Sequence, residues 1–199
     1  MVNYSNIFVN EGLSYLKYRN LVSSLLENNK TTGGDHSEAM LQYSKLNVQR
    51  MNRVDKTTVL NEELTAAIGT VKGHYSLLVI SEGWCGDAAQ LVPVFQKIAD
   101  LAPAQFELKL ILRDTNLPLI DAHLTNGGRA IPKLLVLNSN GVLVAEWGPR
   151  PHALQLLLNE WKKEIQDLFA LAEKLHSWYA KDKTQTSQHE LASLFRELE

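Results

Sequence analysis

The stretch that decides the fold runs from Ser76 to Ala89 and has the sequence SLLVISEGWCGDAA. Its first six residues are a short apolar run bounded by polar residues, which is typical of a strand buried on both faces. A helix is predicted to begin at about Cys85, directly after this strand. The free N–H groups and the positive dipole end of a helix start both favour a thiolate, so Cys85 is a candidate reactive residue.

Strand and helix patterns alternate around this stretch. Helical periodicity is present over residues 61–71, 85–100 and 117–124, and further strands are predicted over residues 106–112, 133–137 and 142–146. The last two strands are joined by a turn in which Asn140-Gly141 provides the positive φ that a tight hairpin needs. Strand–helix–strand units followed by a hairpin predict an α/β fold, a mixed sheet flanked by helices.

Helical extensions are predicted at both ends of this core. Residues 1–60 form an N-terminal helical extension that packs on the core, residues 61–165 form the core, and residues 166–199 form a C-terminal helical extension. After Pro151 one long helix is expected, containing the apolar residues from Leu154 to Leu171, then a polar break near Lys183-Thr184 and a short terminal helix. Marginal helices of this kind gain their stability from packing, so we expect one compact domain overall.

Composition excludes several classes of function. The chain has 199 residues, 45% apolar residues and a formal charge of −2, so it has no broad basic field for nucleic acid and no polybasic patch for a membrane. No apolar run approaches the length of a membrane span, and the N-terminus lacks a signal-peptide pattern. We therefore expect a cytoplasmic protein, which agrees with its lone cysteine.

No cofactor or metal is predicted. The six histidines form no i, i+4 pair and no cluster with cysteine, so a metal site is not indicated. The sequence also contains no glycine-rich phosphate loop and no nucleophilic serine elbow.

Three features in order identify a family resemblance. The sequence contains Trp-Cys-Gly-Asp after a buried strand, Pro93 eight residues past Cys85, and Ile131-Pro132 opening the later hairpin. Together these resemble thioredoxin over roughly residues 61–165. The Leu-Thr-Asn-Gly-Gly-Arg run before Ile131 and the Trp-Gly-Pro-Arg-Pro run after the hairpin are similar to a bacterial group of thioredoxin-like proteins. We expect a cis Ile131–Pro132 bond, with the Pro132 ring close to the Cys85 sulfur.

Two departures from the family pattern limit the chemistry. Ala88 occupies the position of the second cysteine of the family's Cys-X-X-Cys motif, and Val79 occupies the position of its buried acid. Because Cys85 is the only cysteine, an intramolecular disulfide cannot form and dithiol reduction by this chain alone is excluded.

The leading hypothesis is a monothiol thiol–disulfide oxidoreductase. Cys85 would form mixed disulfides with a protein or a low-molecular-weight thiol, which an external thiol must then resolve. The resemblance assigns substrate binding to Trp84 and Gly86 of the motif and to Ile131 and Pro132 of the cis-proline loop.

Two charged residues are added to the predicted site. Arg129 is expected to approach Cys85 and to stabilise a thiolate or a substrate carboxylate. Asp87 raises the thiol pKa, but its side chain is expected to turn towards solvent, so we predict a modest net decrease in the pKa of Cys85.

An alternative from another class is a non-catalytic thioredoxin-fold module that holds a protein partner in the same groove or on the added helices. In that case Cys85 is only a small residue at a helix start, Asp87 is a helix N-terminal acid, and Arg129 is a surface ion-pair residue. A one-cysteine peroxidase is less favoured, because no Thr and Arg environment of that kind is recognisable near Cys85.

Overall fold

The computed structural model describes residues 2–198. Four strands are present: β1 (Tyr75–Ser81), β2 (Phe106–Leu112), β3 (Lys133–Leu137) and β4 (Leu143–Trp147). The helices before and within the core are α1 (Tyr4–Asn6), a π-helical turn (Ile7–Glu11), α2 (Tyr15–Glu27), α3 (Glu38–Thr57), α4 (Glu62–Thr70), α5 (Gly86–Leu101) and α6 (Leu117–Asp121). The helices after the core are α7 (His152–Glu164), α8 (Leu168–Asp182) and α9 (Gln185–Arg196).

The four strands form one mixed sheet in the order β2-β1-β3-β4. β1 is parallel to β2 and antiparallel to β3, and β3 is antiparallel to β4. The central residues of β1, from Leu77 to Ile80, are fully buried, as expected for a strand covered on both faces. The predicted α/β fold with a mixed sheet, flanking helices and helices at both termini is confirmed.

The N-terminal segment protects one edge of the sheet. Leu13 and Leu110 exchange two backbone hydrogen bonds, of 2.7 and 2.8 Å, which form an isolated antiparallel bridge beside β2. An edge strand with free N–H and C=O groups invites pairing with other chains, so this bridge shortens the open edge of β2.

The added helices share the core of the sheet. α3 packs against α5, and α9 packs along α4. Phe195 of α9 is fully buried, and its ring lies 4.9 Å from that of Phe106 in β2. Gln188 of α9 is also buried, and its side chain accepts a hydrogen bond from the Asn61 backbone N–H at 2.7 Å. The C-terminal helices therefore contribute to the same hydrophobic core as the strands.

The C-terminal stretch differs from the prediction. The long helix expected from Leu154 to Leu171 is two helices, because α7 ends at Glu164 and α8 begins at Leu168. Asp167 caps α8 by accepting hydrogen bonds from the N–H groups of Phe169 and Ala170. Apolar periodicity continued across this break, and the capping aspartate was the signal that marked it. Among residues 2–198, no helix has the length and apolar character needed to cross a membrane.

Phe195→Ala tests whether α9 belongs to the core. Removing a fully buried ring leaves a cavity, so we expect the free energy of unfolding to fall by about 3–5 kcal/mol. Urea denaturation followed by circular dichroism measures it. Phe169→Ala is the matched control, because that ring is 72% exposed and its removal should change stability little. Equal effects of the two substitutions would show that α9 is not part of the core.

Candidate functional site

The loop between β1 and α5, residues 82–85, carries the start of the Trp-Cys-Gly-Asp motif and is called the motif loop here. It places Cys85 at the N-cap of α5. Its sulfur accepts a hydrogen bond from the Ala88 N–H at 3.4 Å, and its thiol donates one to the Ile131 carbonyl at 3.3 Å. The Ile131–Pro132 peptide bond is cis. The turn at the start of α5 and the loop before β3 therefore meet at the sulfur atom.

Both helical extensions cover this loop. A Cβ atom added at Gly86 would overlap the Tyr43 hydroxyl of α3 and lie 2.8 Å from the His176 ring of α8. The Asn47 side chain of α3 donates a hydrogen bond to the Gly83 carbonyl at 3.2 Å. Cys85 is only 7% exposed as a result.

The cis-proline loop is covered as well. Ile131 and Pro132 are both buried, and the Ile131 carbonyl is already occupied by the Cys85 thiol. The resemblance assigns this loop the pairing with a substrate backbone, and in the structure its two residues are buried beside the Cys85 thiol.

Asp87 is part of a buried polar cluster rather than turned towards solvent. Its carboxylate forms an ion pair with Arg150 at 2.6 Å and accepts a hydrogen bond from the Tyr179 hydroxyl at 2.6 Å. The side chains of Asp87 and Arg150 are 8% and 15% exposed, and Tyr179 is buried. Burial and the neighbouring Asp87 carboxylate hold the pKa of the Tyr179 hydroxyl well above its usual range.

These surroundings reverse the predicted shift of Cys85. Burial, followed by the Asp87 carboxylate, raises the pKa of the Cys85 thiol to about 12, and the Ala88 N–H and the Arg150 charge oppose this only in part. The expected decrease was wrong because it assumed a partly exposed sulfur and a solvated Asp87 side chain. Burying a thiolate costs more free energy than one hydrogen bond at the start of a helix contributes.

Arg129 has a different partner from the one expected. It forms an exposed, two-pronged ion pair with Asp121 at 2.6 and 2.8 Å. Arg150 is the arginine whose charge acts on Cys85.

Trp84 is half-buried, and the Arg113 guanidinium lies 4.6 Å from the centre of its ring. The Trp84 side chain therefore packs beside the motif loop.

The loop also contains a buried acid that the sequence analysis did not assign. Glu82 is fully buried, accepts a hydrogen bond from the Asp114 N–H at 2.9 Å, and accepts another from the Thr32 hydroxyl. Burial raises the pKa of this carboxyl. Glu82 thus ties the loop between α2 and α3 to the segment after β2, whereas the family's acid position holds the buried Val79.

A chain of hydrogen bonds reaches the loop through His176. Arg53 donates to the Gln90 side-chain oxygen at 2.8 Å, so the Gln90 amide nitrogen faces Nδ1 of His176 at 3.1 Å. His176 therefore has its proton on Nε2 and donates it to the Tyr43 oxygen at 3.1 Å. Burial, with Arg50 and Arg53, lowers the pKa of His176 to about 3, so the ring stays neutral.

The comparisons with known proteins agree with this geometry. The profile of a family described as thioredoxin matches residues 33–162, which is more than half of the chain. The chain belongs to the thioredoxin family. The matched region begins well before the predicted core and includes α3, the helix that covers the motif loop in this thioredoxin-family protein.

Two solved structures are similar to this thioredoxin-family protein. One is a protein of unknown function from Pseudomonas aeruginosa, with 18% identity and a TM-score of 0.55 over 92% of this chain and 96% of that one. The other is an HIV epitope scaffold, with 18% identity and a TM-score of 0.53 over 92% of this chain and 98% of that one. At this identity they show the fold alone. No curated protein is significantly similar to the chain.

Sequence reasoning missed four residues around Cys85, one in the core and three in the extensions. Arg150 lies within the Trp-Gly-Pro-Arg-Pro run that contributed to the family resemblance, so a signal for it existed. Tyr43, His176 and Tyr179 lie in the extensions, where helical periodicity gave no indication that they face Cys85. Within residues 2–198, no group of three or more His, Cys, Asp or Glu side chains is arranged to hold a metal ion.

Asp87→Asn tests the role of the buried ion pair. The substitution leaves the buried Arg150 charge without its partner, so we expect the free energy of unfolding to fall by about 3 kcal/mol. It also removes the negative charge beside Cys85, so the thiol pKa should fall and alkylation by iodoacetamide should begin at lower pH. Asp121→Asn, which breaks an exposed pair, is the control and should change neither quantity appreciably. An unchanged alkylation profile in Asp87→Asn would refute this assignment.

His176 makes stability depend on pH. In the unfolded chain the imidazole takes up a proton near pH 6.5, whereas in the folded protein it does so near pH 3. The unfolded state therefore binds more protons between these values, and stability is lost as the pH falls below about 6.5. Relative to His176→Gln, the wild type should lose about 2 kcal/mol between pH 7 and pH 4.5 in urea titrations. His74→Gln, at an exposed position, is the control, and parallel curves for His176→Gln and wild type would contradict the prediction.

Proposed function

We propose that this protein is a non-catalytic binding module of the thioredoxin family in which the former reactive loop has a structural role. The observation that supports this best is the enclosed thiol of Cys85, whose pKa is raised to about 12. At pH 7 such a thiol is almost entirely protonated, and the thiolate is the nucleophile in disulfide exchange.

The contacts of the loop support the same proposal. Thr32 and Asn47 hold Gly83, Tyr43 packs on Gly86, and Tyr179 bonds to Asp87. Every one of these partners comes from a helical extension. The loop therefore joins the core to its extensions, and a protein partner would be held on the added helices because the family groove is covered.

Cys85 reactivity is the decisive measurement. We expect iodoacetamide to alkylate the native protein at pH 7.5 at least roughly 100-fold more slowly than the urea-unfolded protein, because burial suppresses both ionisation and access. Intact-mass analysis after incubation with oxidised glutathione should show no adduct, and Cys85→Ser should retain the fold. Rapid native alkylation together with a stable glutathione adduct would refute the non-catalytic proposal.

A monothiol function is the second candidate, and the Ala88 N–H bond to the sulfur favours it. In this mechanism the Cys85 thiolate attacks one sulfur of a disulfide R–S–S–R, a Cys85–S–S–R bond forms, and RS⁻ leaves. An external thiol then resolves the mixed disulfide, and the cytoplasm that the sequence predicts would supply it. A Cys85 adduct that forms with oxidised glutathione only after the extensions are loosened, as in Asp87→Asn, would favour this candidate.

A further inference from the structure

A cleft is lined in part by Arg150, the residue that pairs with Asp87 beside Cys85. It has a volume of about 530 Å³ and is bounded by the turn at residues 125–128, the end of β4, the loop at residues 148–150 and the first turns of α7. Small-molecule sites in proteins commonly have volumes of about 300–1,000 Å³. The cleft is therefore large enough for a ligand of a few residues.

Lys133 provides a buried cation in this cleft. Its side chain is 5% exposed, and its nearest acidic partner is Glu146, with the Nζ and Oε1 atoms 3.9 Å apart. Among residues 2–198, the ammonium group has this long ion pair and no hydrogen bond, and its Nζ atom is not fully enclosed, so it is open to the cleft that it lines. An ammonium group has three N–H donors that can bond to acceptor oxygens. The site therefore lacks an oxygen acceptor close to Lys133.

Thr125 provides a second unsatisfied group in the same cleft. Its hydroxyl oxygen is buried and has no hydrogen-bond partner among the described residues. The backbone on either side is fixed, because Thr125 and Gly128 exchange two hydrogen bonds across Asn126 and Gly127, which both have positive φ. The backbone that carries this hydroxyl is therefore held in place, while no described residue bonds to the hydroxyl.

The charges of the cleft select the type of ligand. Lys133 and Arg150 are cationic, while Glu146 and Glu190 are anionic. Asp87 already pairs with Arg150, His123 bonds to Glu146 at 2.8 Å, and Glu190 accepts hydrogen bonds from the Trp147 indole and the His152 backbone N–H. A simple anion would be attracted by Lys133 but repelled by the two glutamates. A molecule with both a carboxylate and an ammonium group matches the two kinds of charge together.

We propose that this cleft binds a small zwitterion, a free amino acid or a short peptide. Its carboxylate would accept hydrogen bonds from Lys133 and Thr125, and its ammonium group would face the glutamates. Trp147 and Leu156 also line the cleft and would contact the aliphatic part of the ligand. This site is separate from Cys85, so the proposal goes beyond the proposed function and does not depend on whether the thiol reacts.

Trp147 gives a local readout for the test. It is one of four tryptophans and lines the cleft, so its indole N–H resonance in a ¹H–¹⁵N spectrum reports binding there. The probes are glycine, leucine and glycylglycine, with acetate and methylammonium as single-charge controls at the same ionic strength. We expect at least one zwitterion to shift the Trp147 resonance saturably, and neither single-charge control to do so.

Lys133→Met removes the ammonium group and keeps the length of the side chain, and it should weaken the binding at least tenfold. Lys72→Met, at an exposed lysine outside the cleft, is the matched control and should bind as the wild type does. Thr125→Val replaces only the hydroxyl by a methyl group and should also weaken the binding. This variant provides the test if Lys133→Met fails to fold. The proposal is overturned if no zwitterion shifts Trp147, if acetate alone does so equally, or if the cleft variants bind unchanged. Each of these outcomes leaves the alkylation test of Cys85 unaffected.

Discussion

The carboxylate of Asp87, two residues after Cys85, is almost fully buried. The surrounding structure therefore has to provide partners for its negative charge. An unpartnered buried carboxylate costs several kcal/mol, so its partners must be in place in the folded state. Arg150 comes from the loop after β4 and Tyr179 comes from α8. The start of α5, the end of the sheet and the C-terminal extension are therefore assembled around one charge, and that charge also raises the pKa of the adjacent thiol.

The same packing encloses the loop that carries the remaining cysteine of the family motif. In the thioredoxin family the loop that holds the Cys-X-X-Cys motif is the reactive element, whereas here Thr32, Asn47 and Tyr43 of the N-terminal extension contact the corresponding loop before α5. Each contact stabilises the attachment of an extension and removes a surface that a disulfide substrate would need. A fold specifies where a site can form, and the side chains that surround it decide what the site does.

The molecule also shows where its polar groups are satisfied and where they are not. Around Cys85 the buried polar side chains of Asp87, Glu82 and Tyr179 all have partners. On the other side of Arg150, Lys133 has only a long ion pair and Thr125 has no partner among the described residues. Among the described residues, Ser44 and Ser187 also have buried hydroxyls without a partner, so Thr125 is distinguished by its position on the cleft that Lys133 lines.

Local sequence patterns were enough to predict the fold class and to limit the chemistry. The apolar run at residues 76–81, the helix start at Cys85 and the Asn140-Gly141 hairpin are local patterns, and a single cysteine excludes an internal disulfide by valence. Only the tertiary structure decided the sign of the Cys85 pKa shift and which arginine lies beside the thiol. The residues that surround the thiol, Tyr43, Arg150 and Tyr179, are far from Cys85 along the chain. The desolvation of the Cys85 sulfur depends on all the atoms packed around it. No sequence pattern near Cys85 records that two extensions cover it.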